Sequence, residues 1–346
     1  MNWRLLPAAR FAEFAARWET LRAAGPAAPM LAADFMLPLL AEFGGGRELL
    51  ALCEDGPDLL AAAVLAPAGR GAWSTFQPAQ APLGPWLQGP GLDTGTLLAG
   101  LLRALPGFPL LLGLSQCDPF LLPRPADGGH ARSSDYIDTA RISIETDAET
   151  WWNGRGKNLR ANLKKQRNRL AAAGIGTTLE VLRAPQQMAQ AIADYGRLES
   201  TGWKGRAGTA VAADNDQGRF YRRMLEAFCA RGQGSVYCYR FGAELVAMDL
   251  CIEEGDCIVI LKTAYDESVP KHYSPALLMR EEACRRLFED GRLRRIEFYG
   301  KVMEWHTRWT DEVRTLYHLN HYRWPALRRL HETLRRDAAA LELPAD

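Results

Sequence analysis

No window of the 346-residue chain reaches about eighteen uninterrupted apolar residues, so no membrane-spanning helix is expected. The opening stretch, MNWRLLPAARFAEFAARWETL, includes Glu13 and Glu19 and reads as amphipathic, not as a secretory leader. Net charge is only +1, which excludes a global basic footprint for nucleic acid and makes any anion site local. The seven cysteines are odd in number and scattered, and no pair has metal-ligand spacing. Cys238, Cys251 and Cys257 sit in apolar strands as small core residues. The expectation is therefore no metal and a reducing, cytoplasmic setting. A Ser-His-Asp set for nucleophilic catalysis is also missing.

What is present is ample apolar content, 47 %, and a length that favours two domains. Helices are expected at Phe11–Leu21, Phe35–Phe43, Thr94–Leu105, Pro185–Glu199, Gln217–Arg231 and from Ala326. A long helical stretch is expected from Asp147 to Ala173. Short strands are expected at Glu48–Cys53, Leu59–Ala66, Ala72–Gln77, Pro109–Leu114, Arg141–Ile144, Thr177–Leu182 and Arg295–Tyr299. Ser235–Phe241, Glu244–Ile252 and Cys257–Ala264 form a meander through the turns RFGAE and EEGD. Both halves show helices, then a meander of three strands, then a helix and a strand. The N-terminal half lacks a clear anion loop at its strand-to-helix junction.

The stretch from Cys257 to Phe288 reads as strand, loop and helix. Ser274 stands at the N-cap position and Pro275 at the first helical position. Such a helix start points unpaired N–H groups and a positive dipole end at the loop, a site for phosphate or pyrophosphate. Lys271 and His272 add positive charge at its mouth. Between Glu149 and Glu180 there are seven Lys/Arg and no acid. That run reads either as a face for an anionic partner or as a solvated helix face balanced by acids elsewhere.

Four stretches together resemble a family: GKNLRANLKKQRNRL (Gly156–Leu170), ESTGWKGRAGTA (Glu199–Ala210), LKTAYDESVPKHYSPALLM (Leu261–Met279) and RIEFYGKVMEWHTRW (Arg295–Trp309). They resemble the GNAT acyltransferases, and more closely the CelD/BcsL cellulose-biosynthesis-type group, relatives of the Fem-type transferases with tandem GNAT-like domains. The resemblance implies an α/β (α+β) fold of two tandem GNAT-like domains, each a mixed, mostly antiparallel sheet flanked by helices. The expected division is a degenerate domain over 1–145 and an acyltransferase domain over 146–346. The family's Gln/Arg-x-x-Gly-x-Gly/Ala loop aligns with Lys271, Ser274 and Ala276, so two of the three positions depart from it. In the last motif Glu297 stands for an aspartate, and Trp305-His306 stands for Tyr-Lys.

The resemblance implies an acyl-CoA co-substrate held by Lys271, His272, Tyr273, Ser274 and Ala276. The acceptor is an amine on a small molecule, glycan or peptide, in envelope or exopolysaccharide biosynthesis, and it attacks the acyl carbonyl directly. That attack needs the carbonyl polarised, the amine deprotonated and the leaving group protonated. Candidate catalytic groups are Glu199, Asp249 and His306. Each has a plainer reading, as a helix-end acid, a carboxylate paired with a cation, and a packing histidine. Candidate substrate contacts are Trp203, Lys204, Lys262, Glu297 and Tyr299, with Lys262 either neutralising an anionic substrate or pairing with Asp249. Two other functions stay open: a Fem-like aminoacyl-tRNA-dependent transferase, and a non-catalytic scaffold in polysaccharide assembly.

Overall fold

Each half of the chain builds a mixed sheet from an antiparallel meander, a crossover helix and one parallel return strand. The computed structural model describes residues 1–200 and 211–341. They form two compact units, 1–26 with 30–137 and 315–346, and 27–29 with 138–314.

In the first unit, strands β1 (Asn2–Pro7), β2 (Leu49–Asp55), β3 (Asp58–Pro67) and β4 (Ala72–Thr75) run antiparallel in that order. The short strand β5 (Trp86–Gln88) pairs with β3. Strand β6 (Leu111–Cys117) returns parallel to β4 after helix α3 (Thr94–Ala104), and α1 (Phe11–Arg22) and α2 (Ala33–Phe43) precede β2. Leu97, Leu98, Leu101 and Leu102 recur at helical spacing, and all are buried against β3 and β6.

In the second unit the sheet order is β7-β12-β11-β10-β9-β8. The strands are β7 (Ala131–Ser143), β8 (Thr177–Leu182), β9 (Gly234–Phe241), β10 (Glu244–Glu254), β11 (Cys257–Tyr265) and β12 (Arg295–Phe298). Among the described residues of this unit, only β11 and β12 pair in parallel. The helices are α4 (Ala148–Asn153), α5 (Lys157–Ala172), α6 (Met188–Ser200), α7 (Asp216–Ala230) and α8 (Pro275–Asp290). One face of this sheet packs on α4, α5 and α8 through Trp151, Leu159, Leu163, Leu278 and Leu287. The residues of α6 and α7 take no part in that core, and Tyr195, Phe220 and Met224 are buried separately.

The α+β class with a mixed, mostly antiparallel sheet and flanking helices is thus what the chain adopts. Three details differ from expectation. The helical stretch from Asp147 to Ala173 is two helices, because Gly154 ends α4 and Gly156 starts α5. Strand β1, most of β7 and strand β13 (Val313–Tyr322) were not expected. Residues 315–341, with helix α9 (Pro325–Leu341), belong to the first unit because β13 hydrogen-bonds to β6. The compact units divide at 137/138 and 314/315.

All seven cysteines are free and buried. No helix among the described residues is long and apolar enough to cross a membrane. Leu163 is fully buried between α5 and the sheet. Truncation there leaves a cavity, and Leu163→Ala is expected to cost about 3 kcal/mol in chemical denaturation.

Candidate active site

Strand β11 carries a register break that shapes the site. Leu250 pairs with Lys262 but Cys251 pairs with Ile260, so Leu261 is an extra residue, a β-bulge. Because side chains alternate, one extra residue reverses which face each later side chain occupies. Ile258 and Ile260 pack on the α8 face, and after the bulge that face receives Thr263. Lys262 points instead to the face of α6 and α7. Pairing with β12 also stops early, at Val259–Glu297, while β11 continues to Tyr265. The two strands are thus hydrogen-bonded at one end only.

A cavity of about 670 Å³ occupies that side of β11, lined by Thr263, Tyr265, Lys271, Ser274, Arg280 and Trp305 among others. Its wall includes the start of α8. Ser274 adopts a left-handed conformation, φ 38°, a region that glycine tolerates far better than serine. Its hydroxyl donates to the Lys271 carbonyl at 2.9 Å and does not cap the helix. Leu277 and Leu278 both donate to the Ser274 carbonyl. The N-cap side chain therefore leaves the first turn of α8 open toward the cavity, beside Lys271, Ala276 and Arg308.

Arg280 lies at the inner end, almost fully buried. Its guanidinium meets both Asp249 oxygens, at 2.7 and 3.1 Å, donates to Thr263 Oγ1 at 3.1 Å, and lies 5.2 Å over the Phe298 ring. The Thr263 hydroxyl donates to Asp249 at 2.5 Å. Asp249 is thus engaged in an ion pair and a hydroxyl contact, the plainer of its two sequence readings, and it does not pair with Lys262. Arg280 was missed in the sequence. Its signal was a charge in phase with Leu277, Cys284 and Leu287 on a core-facing stripe.

His306 is buried, stacks on Trp305 at 3.6 Å and meets the Phe298 ring edge-on. Burial, with the Arg280 charge acting the same way, pulls its pKa down to about 4. Its Nδ1 lies 2.9 Å from the Met303 amide and accepts that proton. These contacts leave it neutral near pH 7 and committed to packing, with no free lone pair at Nδ1.

Across β11, buried Glu199 and half-buried Lys262 form an ion pair at 3.3 Å. The other Glu199 oxygen accepts from the Val211 amide at 2.8 Å. The Lys262 ammonium lies over Tyr221 and Tyr195 at 5.3 and 5.8 Å. Burial pushes both tyrosine hydroxyls up, and the Glu199 charge adds to it, so both stay protonated. Lys262 therefore pairs with Glu199 where the sequence suggested Asp249.

The remaining candidates are distributed as follows. Lys271, Ser274 and Ala276 line the cavity. His272 and Tyr273 are not among its lining residues; Tyr273 packs against the core and Phe241 instead. Glu297 is buried on the strand face opposite Phe298 and pairs with Arg314 at 2.8 Å. Tyr299 lies under the Arg314 guanidinium at 5.2 Å. Neither lines the cavity. Trp203 and Lys204 lie outside the described residues.

Residues 157–307 match the family model described as an acetyltransferase (GNAT) domain. A search of curated proteins finds no match. Among solved structures, the chain is similar to one described as the C-terminal domain of a lysylphosphatidylglycerol synthetase from Agrobacterium fabrum. Identity is 15 % over 93 % of this chain and 95 % of that one, with a TM-score of 0.57. L-PGS from Bacillus licheniformis gives 15 % identity over 88 % and 91 %, TM-score 0.53. FemX gives 9 % over 95 % and 99 %, TM-score 0.56. At these identities the likeness is one of fold.

Two outcomes test this geometry. Ser274→Gly is expected to hold or raise the melting temperature by relieving the left-handed backbone. Ser274→Val, β-branched at the same φ, is expected to cost roughly 1–3 kcal/mol. For His306 the folded pKa lies below the usual 6.5, so its contribution is present above pH 6.5 and is lost as pH falls toward 4. Between pH 6.5 and 5 it removes on the order of 1–2 kcal/mol. Denaturation across that window should show a shallower acid slope in His306→Gln than in the parent.

Proposed function

We propose that the second unit transfers an acyl group from acyl-CoA to an amine by direct attack. The observation that carries this reading is the gap between β11 and β12, open beyond Val259–Glu297 and leading to the uncapped start of α8. A thioester arm needs such a gap between strands, and a diphosphate needs such a helix end. The residues present fit that donor. Amide groups of the first turn of α8, with Lys271 and Arg308, hold the diphosphate charge. Trp305 and Val269 supply apolar wall for the arm. Thr263 and Arg280 line the inner end, where a carbonyl oxygen gains charge during attack. Asp249 balances Arg280 there, so the pair adds a directed N–H donor without a net buried charge.

Glu199 is the carboxylate assigned to the acceptor amine. Lys262 and Thr263 are neighbours on opposite faces of β11, which sets Glu199 across one strand from the cavity. An ammonium acceptor competes with Lys262 for Glu199, whose carboxylate takes up its proton. The free amine then attacks the thioester carbonyl, the C–N bond forming as the C–S bond breaks. CoA leaves as a thiolate that takes up the proton the attacking nitrogen sheds. The CelD/BcsL resemblance favours an amine borne by a glycan precursor.

A second reading, an aminoacyl group delivered by tRNA, is favoured by α5. Lys157, Lys164, Lys165 and Arg169 are exposed there, and no ion pair to them is found among the described residues. Arg167, by contrast, pairs with Glu281.

Thermal unfolding against CoA and acyl-CoAs of graded length separates the readings. The first expects a stabilisation of about 2.7 kcal/mol at a hundredfold excess over the dissociation constant, reduced in Lys271→Glu. Absence of any shift with every acyl-CoA, together with steeply salt-dependent tRNA binding, favours the second and removes the first.

A further inference from the structure

The polar groups at the inner end of the cavity are unequally matched. Its side-chain oxygens are occupied. Thr263 Oγ1 accepts from Arg280 and donates to Asp249, and Asp249 Oδ1 accepts from both residues. The N–H donors are in surplus. Arg280 is only 2 % exposed and lines the cavity, yet Nη2 alone makes aligned hydrogen bonds among the described residues. Its Nη1 stands 2.7 Å from Asp249 Oδ2 without hydrogen-bond alignment. Its Nε has no acceptor among those residues.

Trp309 is the other source of donors. It is fully buried and lines the same cavity, and its indole Nε1 has no hydrogen-bond partner among the described residues. The ring is held by stacking on Trp151 and Trp152, with centroids 6.2 and 6.3 Å away. Its carbonyl accepts from Arg155, which ties the backbone as well. The indole therefore has little freedom to turn elsewhere for an acceptor. A buried donor without a partner is costly, so several in one cavity call for an acceptor that the ligand brings.

Charge decides which acceptor fits. Asp249 already balances Arg280. A carboxylate on the acyl group would bring a second negative charge to a dry end whose cation is taken. An aminoacyl ammonium would meet only other N–H donors. A hydroxyl accepts but adds one more proton to place, whereas a ketone oxygen only accepts. The reacting thioester oxygen has two lone pairs and serves two of these donors, Arg280 Nη1, Arg280 Nε and Trp309 Nε1. A plain alkanoyl chain leaves the third unmet.

Resting on the acyl-CoA reading above, we propose that this cavity selects an acyl group with a second carbonyl oxygen, a ketoacyl group, over the plain alkanoyl group of the same length. Arg280 and Trp309 are the residues that make the selection.

Isothermal titration of the full chain with acetoacetyl-CoA, butyryl-CoA, succinyl-CoA and CoA tests this. Acetoacetyl and butyryl have the same chain length and differ at one carbon, a ketone in place of a methylene. Acetoacetyl-CoA is expected to bind at least about tenfold tighter than butyryl-CoA. A cavity that serves only apolar chains reverses that order, because the more polar group then loses more on leaving water. Trp309→Phe keeps an aromatic ring and deletes the N–H, and is expected to bring the ratio to within about threefold. The ratio is internal to each protein, and the parent's own ratio carries the test if that variant does not fold. Butyryl-CoA or succinyl-CoA binding as tightly as acetoacetyl-CoA overturns the inference and leaves the acyl-CoA reading standing. So does an unchanged ratio in folded Trp309→Phe. Absence of binding by CoA and by every thioester removes the acyl-CoA reading itself, and this inference with it.

Discussion

One extra residue in β11 determines where the chemistry-bearing side chains of the second unit go. Leu261 has no partner in β10, and the reversal it causes sends Lys262 to the α6–α7 face and Thr263 to the α8 face. Without the bulge those two would exchange faces. Lys262 would then be directed to Arg280, a like charge in a dry setting, and Glu199 would lose its cation. The two ion pairs, Glu199–Lys262 and Asp249–Arg280, depend on the same backbone irregularity. A buried pair is weak evidence of net stability, but breaking one partner leaves a stranded charge and costs about 3–5 kcal/mol. The two pairs therefore fix the register of β11 against slippage, since any shift by one residue breaks both.

The bulge also accounts for the gap. A bulged strand bends and twists more strongly than its neighbours. Strand β11 leaves β12 after Val259, close before the bulge, and β12 itself ends at Phe298. Arg280 then reaches from α8 to Asp249 on β10 through the space beside Thr263. The guanidinium is held on three sides, by a carboxylate, a hydroxyl and the Phe298 ring, so its orientation is set before any ligand arrives. Preorganised donors of this kind act on developing charge without the cost of reorienting at that moment.

Much of this was legible in the sequence, and the parts that were not share a cause. The meander Ser235–Ala264 and the helix after Ser274 follow from local alternation, turn residues and Pro275, and their bounds were read to within about two residues. Ser274 at the helix start and Lys271 and Ala276 beside it were also readable, because N-cap position is a local property. The conformation of Ser274 was not, since left-handed serine is uncommon and nothing in its neighbours signals it. Pairing across strands was the larger loss. Assigning the partner of Asp249 required knowing that Leu261 bulges, and a bulge in an apolar run leaves no mark on composition. Strands β1 and β13 were missed for a related reason: each is recruited by a distant partner, β2 and β6, and not by its own periodicity.

The repeat of architecture raises the question of why the functional site belongs to the second unit. The first unit has the same meander, crossover helix and parallel return, β2-β3-β4, α3 and β6. Its helix start differs in one decisive contact. Asp93 caps α3, its carboxylate accepting from the Thr96 amide and hydroxyl, both at 2.7 Å. The Thr96 hydroxyl and amide hold that carboxyl below its usual range, so it stays charged. A capping carboxylate satisfies the first-turn amide and sets a negative charge where a phosphate would have to sit. At α8 the equivalent side chain is a neutral serine turned away toward Lys271. The two helix ends are alike in backbone order and differ in charge, an anionic cap at α3 and a neutral hydroxyl turned away at α8.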